Sequence, residues 1–455
     1  MNGQKKVMLI SLGCDKNLVD SEVMLGQLKE AGYVLTNEEA EAEIIIINSC
    51  CFIGDAKEES IRMILEMAEY KKAGSCKTLV VTGCLAQRYA EEIRTEIPEV
   101  DAIVGTTAYD RIVEAICEAQ KNGSAECLAE LTLLPEVGTH RVNTTGGYYS
   151  YLKIAEGCDK HCTYCIIPSL RGSYRSVPME RLLKEAEFLA EGGTKELILI
   201  AQETTLYGTD LYGEKKLPEL LRRLCRIEGI EWIRLLYCYP EEITEELIDT
   251  IRQEPKICHY LDMPIQHASD AVLKRMGRKT NRAELQKLIA RLRREIPDIA
   301  LRTSLITGFP QETEEEHQEL LDFVEKVGFQ RLGVFPYSKE EATPAAKMKG
   351  QIPKRVKLKR QKQLMERQQR ISRQRGEEKV GQTLQVMVEG RLPEENVMVG
   401  RSYMDAPGVD GYVFFTSADT YLSGELVDVR ITQAKEYDLI GEAVSGWEDE
   451  HESAK

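Results

Sequence analysis

The sequence predicts an α/β protein built as three successive units: an N-terminal doubly wound parallel α/β domain, a central partial (β/α)6 barrel and a small C-terminal antiparallel β-barrel. Two observations carry the first two units: short β-branched runs alternate with longer amphipathic segments between Lys5 and Gln120, and do so again from Ser150 to Phe335. The third unit rests on short strands spaced by Gly-rich turns after Val380. A chain of 455 residues also has room for about three domains.

In the first unit, Val7–Leu12, Ile44–Asn48, Thr78–Thr82 and Ala102–Val104 read as buried parallel strands, because they are nearly continuous β-branched runs. Val19–Ala31, Lys57–Ala73, Gln87–Glu96 and Arg111–Gln120 carry the helical period between them. The stretch Asn122–Gly147 has no clear period and reads as a connector. The second series places strands near Ser150–Ala155, Glu196–Ala201, Trp232–Leu236, Leu261–Ile265, Leu301–Ile306 and Arg331–Phe335. Helices such as Met179–Ala190, Leu285–Arg294 and Glu314–Val327 separate them. Six βα units are too few for the usual eight-unit closed barrel, so the barrel is expected to be partial, with functional residues at the carboxyl ends of its strands. Strands at Leu384–Val388, Tyr412–Phe415 and Glu425–Ile431 mark the last unit. The expected boundaries are 1–125, 144–375 and 378–447, and there is no internal repeat.

Composition narrows the class further. With 42% apolar residues the chain is neither disordered nor a small disulfide scaffold, despite a formal net charge of -15. That acidity argues against a general nucleic-acid coat, although a whole-chain sum hides opposite local fields. From Lys347 to Arg375 there are twelve Lys/Arg and one Glu on a helix-compatible sequence, whereas from Val380 to Lys455 there are five Lys/Arg and fifteen Asp/Glu. The basic run reads first as a solvated linker, with RNA contact through 347–375 as the alternative; Glu448 to Glu452 reads as an acidic tail. No apolar run approaches the roughly 20 residues that span a bilayer. Val7–Ile10 ahead of Cys14 is also too short for the apolar core of an export signal. The expectation is a soluble, cytoplasmic protein without membrane contact, in which 13 cysteines serve metal ligation or chemistry rather than disulfides.

The strongest motif is Cys158-x3-Cys162-x2-Cys165, directly after the first strand of the partial barrel. Three thiolates at this spacing hold three corners of a 4Fe-4S cube and leave the fourth iron open. Zinc is the competing reading, with His161 as a possible fourth ligand, but a strand-end loop of a barrel matches zinc ribbons and fingers poorly. In the first unit Cys14, Cys50 and Cys84 are far apart in sequence, yet each follows the end of an expected strand, at Leu9–Gly13, Ile44–Ser49 and Leu79–Gly83. In a parallel sheet those ends share one edge, where open α/β folds bind ligands. The bland alternative is three buried free thiols. Cys51 should point away from Cys50, and Cys76, Cys117, Cys127, Cys225, Cys238 and Cys258 have no ligand spacing.

Cys158-Asp159-Lys160-His161-Cys162-Thr163-Tyr164-Cys165 resembles the radical S-adenosylmethionine signature. With three strand-end cysteines ahead of it and a small β-barrel of the TRAM type behind, nearly the whole chain is similar to the radical S-adenosylmethionine methylthiotransferases. The resemblance implies two 4Fe-4S clusters. Cys158, Cys162 and Cys165 would hold the one whose open iron chelates S-adenosyl-L-methionine, and Cys14, Cys50 and Cys84 an auxiliary one that presents sulfur. Reductive cleavage then yields a 5'-deoxyadenosyl radical that takes hydrogen from an unactivated carbon, and a methylated sulfur is added to that carbon. Gly193-Thr194-Lys195-Glu196, Gln202, Met263-Pro264-Ile265-Gln266-His267 and Ile306-Thr307-Gly308-Phe309-Pro310 also match. Gly193, Glu196, Gln202 and Gln266 are therefore expected in the cofactor pocket, while Gln266 and His267 serve equally as satisfied core polar groups.

Known substrates of the family are an adenosine of transfer RNA and an aspartate of small-subunit ribosomal protein S-twelve. An acidic terminal barrel suits a basic ribosomal protein and would repel RNA. Ser11-Leu12-Gly13-Cys14 with Lys16-Asn17-Leu18-Val19-Asp20-Ser21-Glu22, and Arg401-Ser402-Tyr403-Met404-Asp405-Ala406-Pro407 leading to Asp410-Gly411, are similar to the aspartate-modifying branch. Asp15 and Cys51 depart from the expected Pro and Gly, and Cys51 is an alternative to Cys50 as ligand. Modification at the aspartate β-carbon is thus the expected activity, with a reductant protein as second partner. Transfer-RNA modification and a non-enzymatic iron-sulfur carrier are the other readings.

Overall fold

A computed structural model describes residues 4–135, 141–393 and 395–444; Glu448 to Glu452 of the acidic tail and part of the 122–147 connector lie outside these. The N-terminal unit is one parallel sheet of six strands, in the order Val34–Leu35, Lys6–Ser11, Ile44–Ser49, Thr78–Gly83, Ala102–Val104, Ala125–Cys127. Its central strands Ile44–Ser49 and Thr78–Gly83 are buried at every position, which is why they show no alternation in sequence. Both edge strands escape the sequence reading: Val34–Leu35 has only two residues, and Ala125–Cys127 lies in the expected connector, paired to Ala102–Val104. The expected helix Gln87–Glu96 is two, Cys84–Arg88 and Ala90–Glu96, broken at Tyr89.

The central unit is a second parallel sheet whose six strands lie side by side in chain order: Tyr149–Lys153, Glu196–Ile200, Trp232–Leu235, Ile257–Asp262, Ala300–Thr307 and Arg331–Pro336. The strand expected at Leu261–Ile265 runs Ile257–Asp262 instead, and it ends ahead of Pro264, which has no N–H to donate to the ladder. Period-two alternation divides the side chains of this sheet. Leu197, Leu199, Ile233, Leu235, Leu261 and Leu301 pack with helix residues such as Leu182, Leu220 and Leu320. Tyr151, Ile198, Ile200, Trp232 and Tyr260 instead join Val386, Met404, Val413 and Phe415 of the terminal barrel in one core.

That barrel is closed, ordered Thr383–Arg391, Met398–Ser402, Val413–Thr416, Leu439–Ala443, Leu426–Ala434. It is not wholly antiparallel as expected, since Val413–Thr416 and Leu439–Ala443 pair in parallel to complete the ring. The basic run is not a solvated linker either. Lys354–Glu377 is a helix that buries Leu364, Ile371, Gln368 and Arg360. Gln368 Nε2 donates to the Phe329 carbonyl at 2.8 Å and Arg360 Nη1 to that of Glu312 at 3.0 Å, so one face belongs to the central unit. Its outward face carries Lys354, Arg355, Lys359, Lys362, Arg370 and Arg373, all exposed.

Candidate active site

The Cys158 loop leaves the sheet through a two-stranded ribbon, Ala155–Glu156 against Arg175–Ser176, and returns through the short helix Ile167–Arg171. Thr163 anchors it to a neighbouring turn: its N–H donates to the Met276 carbonyl at 2.9 Å and its hydroxyl to that of Arg275 at 2.8 Å. Cys158 and Cys162 are each only 5% exposed, so the loop shields its thiols from water. Burial first, and then the Cys162 and Cys158 thiols, push Cys165 up to about 12, while burial and then the Glu203 carboxylate and the Cys162 thiol push Cys158 to about 11. Thiols in such surroundings stay protonated unless a cationic group draws the proton off. Every described cysteine is a free thiol. His161, the alternative zinc ligand, is exposed. Among the described residues no three His, Cys, Asp or Glu side chains gather for a single metal ion.

Tyr239 Oη lies 3.9 Å from Cys162 Sγ, and the Arg278 guanidinium stacks 4.2 Å above the Tyr239 ring. Buried polar atoms without a partner collect near the strand ends: Gln202 Oε1, Glu203 Oε2, His267 Nε2, Thr307 Oγ1, and Arg278 Nε and Nη1. Such atoms are costly unless something fills them, and a zwitterionic amino acid joined to a nucleoside offers donors and acceptors of the needed kinds. Burial pushes Glu203 up to about 7, against the hydrogen bond from Thr205 and the Lys160 charge. The sequence reading missed Glu203, Arg278 and Tyr239; the available signal was Glu203's place right after the strand end that drew attention to Gln202. Gln266 adopts a left-handed φ of 69° and bridges to Leu305 beside the same edge.

Two expected pocket residues are elsewhere. Glu196 opens its strand, six residues or about 20 Å from Gln202. It is fully buried, its Oε1 accepting from Arg234 Nε at 2.6 Å and its Oε2 from Arg401 Nη2 at 2.8 Å. It joins the terminal barrel to the central sheet and has no free oxygen for a cofactor. Gly193 lies further back still, in the turn that ends helix Met179–Glu191, where φ of 99° explains the glycine. Both sit at the amino end of the strand because the sequence match marked the strand without saying which end faces the cysteines.

The N-terminal trio is assembled by main-chain packing. A Cβ on Gly13 would stand 2.7 Å from Cys50 Cβ and 2.9 Å from Cys50 Sγ, so only glycine lets the Cys14 loop approach Cys50 this closely. Asn17 Nδ2 donates to the Leu12 and Ser49 carbonyls at 3.0 and 3.1 Å, and Asn48 Nδ2 to the Asn17 carbonyl at 2.8 Å, which stitches the two loops together. Cys50 and Cys84 are buried and Cys14 exposed. Burial, then the charges of Cys84 and Cys14, push Cys50 up to about 12. Cys51 is fully buried and turned to Arg88. Arg171, six residues past Cys165, reaches across from the central unit. It donates to Asp20 at 2.9 Å, Glu156 at 3.2 Å and Asn17 Oδ1 at 2.5 Å, and its charge opposes the burial that raises the Cys84 thiol. An arginine in an otherwise apolar helical turn was the only hint of it in the sequence.

A parallel sheet with a three-cysteine strand-end loop, preceded by a cysteine-bearing α/β domain and followed by a closed five-stranded barrel, defines a radical S-adenosylmethionine protein with two accessory domains. Family models agree: residues 6–105 match the uncharacterized protein family UPF0004, 152–324 the radical SAM superfamily and 380–444 the TRAM domain. The chain is 68% identical to the ribosomal protein uS12 methylthiotransferase RimO of Lachnoclostridium phytofermentans, over 96% of this chain and 100% of that protein. It is 51% identical to that of Geobacter sulfurreducens, over 98% and 100%. The chain belongs to this family of ribosomal protein uS12 methylthiotransferases. Among solved structures, the radical methyltransferase TsrM from Kitasatospora setae is similar in fold, with a TM-score of 0.55 at 14% identity over 75% of this chain and 77% of that one.

Proposed function

We propose that this protein inserts a methylthio group at the β-carbon of an aspartate in ribosomal protein uS12. Cys158, Cys162 and Cys165 hold the 4Fe-4S cluster that binds S-adenosyl-L-methionine, and Cys14, Cys50 and Cys84 hold a second 4Fe-4S cluster. The observation that supports it is a pair of cysteine trios, one on a single loop and one on three strand ends, joined across the unit boundary by Arg171. When bound, these groups supply a deoxyadenosyl radical on one side and a transferable sulfur on the other. The chain's own contribution is enclosure and orientation. The buried Cys158 loop, walled by Tyr164 and Tyr239, keeps water from the radical side, and Gln202, Glu203, Gln266 and Thr307 offer the cofactor polar groups. The units acting together are 1–125, 144–375 and 378–447.

The charge of the last unit supports a protein substrate over transfer RNA, because its acidic excess attracts a basic ribosomal protein and repels phosphates. Contact with ribosomal RNA, if the assembled subunit is the substrate, would fall to the exposed lysines and arginines of helix Lys354–Glu377. A separate protein delivers the electron, and the site of action is the cytoplasm; no helix among the described residues is long and apolar enough to cross a membrane. The test is anaerobic reconstitution with a reductant and both candidate substrates, read by mass spectrometry. A methylthio group on the uS12 aspartate supports the proposal; modification of transfer RNA alone refutes it.

A further inference from the structure

Lys16 begins the helix Asp15–Glu30 two residues after Cys14, and its side chain is buried, with the residue 5% exposed. Its Nζ sits 2.9 Å from the centroid of the Tyr237 ring, yet it forms no hydrogen bond or ion pair among the described residues. The neighbouring buried cations are all matched. Lys153 pairs with Asp20 and Glu156, Arg171 with the same two acids, and Arg302 with Asp262 and Asp410. The acids nearest Lys16 are engaged elsewhere: Asp15 accepts from Tyr237 Oη at 3.1 Å, and Asp262 from Arg302 at 2.7 Å and from the Tyr237 N–H at 3.0 Å. An ammonium has three donors, and a ring face satisfies them poorly. At 5% exposure the residue leaves its ammonium little water to bind, which a carboxylate partner would replace.

Its place indicates which partner. Tyr237 and Asp262 stand at the carboxyl ends of two central strands of the radical sheet, while Cys14 opens the loop of the other trio. Lys16 therefore lies on the boundary between the two cysteine loops, and the exposed Gly13 and Cys14 beside it leave a way in. Resting on the uS12 reading above, we propose that Lys16 binds the side-chain carboxylate of the substrate aspartate and thereby holds its β-carbon between the two centres. A carboxylate brings opposite charge and enough lone pairs for the idle donors. An adenosine base brings no charge to that position, so the same lysine favours an aspartate side chain over a base there.

The experiment measures equilibrium binding of the fully loaded enzyme to uS12 and to uS12 with the modified aspartate replaced by asparagine. Wild-type enzyme should prefer the aspartate form by about 10- to 100-fold, the size of a charge-assisted hydrogen bond in a desolvated site. Lys16→Met should remove the preference by weakening the aspartate complex alone, and Lys16→Arg should restore part of it. Iron per chain is counted in each variant. If Lys16→Met loses iron, Lys16→Gln is judged by the same criterion. A preference that survives loss of the ammonium, or equal weakening of both complexes, overturns the proposal. Wild-type enzyme that methylthiolates uS12 while binding both forms equally defeats the lysine assignment alone. Enzyme that leaves uS12 unmodified defeats the functional reading first, and the carboxylate site with it.

Discussion

Replacing Glu196 with Gln tests both the architecture and the reassignment of this residue. The carboxylate and its two partners Arg234 and Arg401 are completely buried. The two guanidiniums hold the carboxyl below its usual range despite the opposing effect of burial. Arg401 retains Glu389 in the variant, but Arg234 keeps only its contact to the Tyr403 carbonyl at 2.6 Å and the Trp232 and Tyr260 rings. Removing one partner of a buried pair costs about 3–5 kcal/mol, and with a urea slope near 2 kcal/mol/M that moves the midpoint down by about 2 M. Trp232 reports locally: it pairs in register with Glu196 and is 6% exposed. The other of the two tryptophans, Trp447, is removed as Phe, so fluorescence follows the junction of sheet and barrel. Because the folded carboxyl titrates below its unfolded value, its contribution is full at neutral pH and disappears as the pH falls through the folded pKa; the gap between wild type and Glu196→Gln must therefore close in acid. A midpoint within about 0.3 M of wild type at neutral pH refutes the clamp. Loss of S-adenosylmethionine affinity in a variant that still folds would return Glu196 to the cofactor pocket.

Gly83→Ala should destabilise the N-terminal unit by about 3 kcal/mol, since φ is 88° and the new Cβ would stand 2.3 Å from Asn48 Oδ1 and 2.5 Å from the Ser49 carbonyl. Iron assay after reconstitution should find about four atoms per chain instead of about eight, with the Cys158 site intact. Cys162→Ala should abolish deoxyadenosine formation, whereas Cys84→Ala should retain some of it and lose sulfur insertion; unchanged insertion would refute the assignment of the N-terminal trio. His267 and His317 are held down by burial at about 3 and about 4. Unfolded histidine binds a proton near pH 6.5, so both reduce stability progressively as the pH falls from 6.5 toward 4. His267→Asn should flatten that slope in urea titrations at pH 4.5 and 6.5.

What the sequence makes legible here is whatever repeats along the chain. Ile44–Ser49 and Thr78–Gly83 announce themselves as buried parallel strands, and the cysteine after each follows from that, because strand ends in a parallel sheet share an edge. Pairings across units leave no such trace. Glu196 and Arg401 are 205 positions apart, and nothing local separates a carboxylate that binds cofactor from one that binds two arginines. The same limit hid Arg171, whose partners come from both units. Ala125–Cys127 was lost for another reason: a three-residue edge strand takes its conformation from the neighbour it pairs with, not from any pattern of its own.

The buried charges explain why the two units meet where they do. On the proposed assignment each cysteine trio, ionised around a bound group, would bring negative charge into a poorly solvated junction that already holds Asp20 and Glu156. Arg171 and Lys153 balance those two acids, and Arg171 also extends its field to Cys84 and Cys14. Neither unit could keep its share alone: Asp20 without Arg171 and Lys153 would be a buried unpaired carboxylate, and Arg171 without Asn17 and Asp20 a guanidinium with most of its donors idle. The thiol loops are thus fixed relative to each other by the charge balance that makes them habitable. With the terminal barrel clamped through Arg401 and through Arg331, whose Nε lies 2.8 Å from Asp405 Oδ1, its acidic surface keeps a constant bearing on the boundary where Lys16 waits. On the proposed function, a basic substrate drawn to that surface would meet the reacting centre in one orientation, and binding energy gathered at the barrel would go into placing a single carbon.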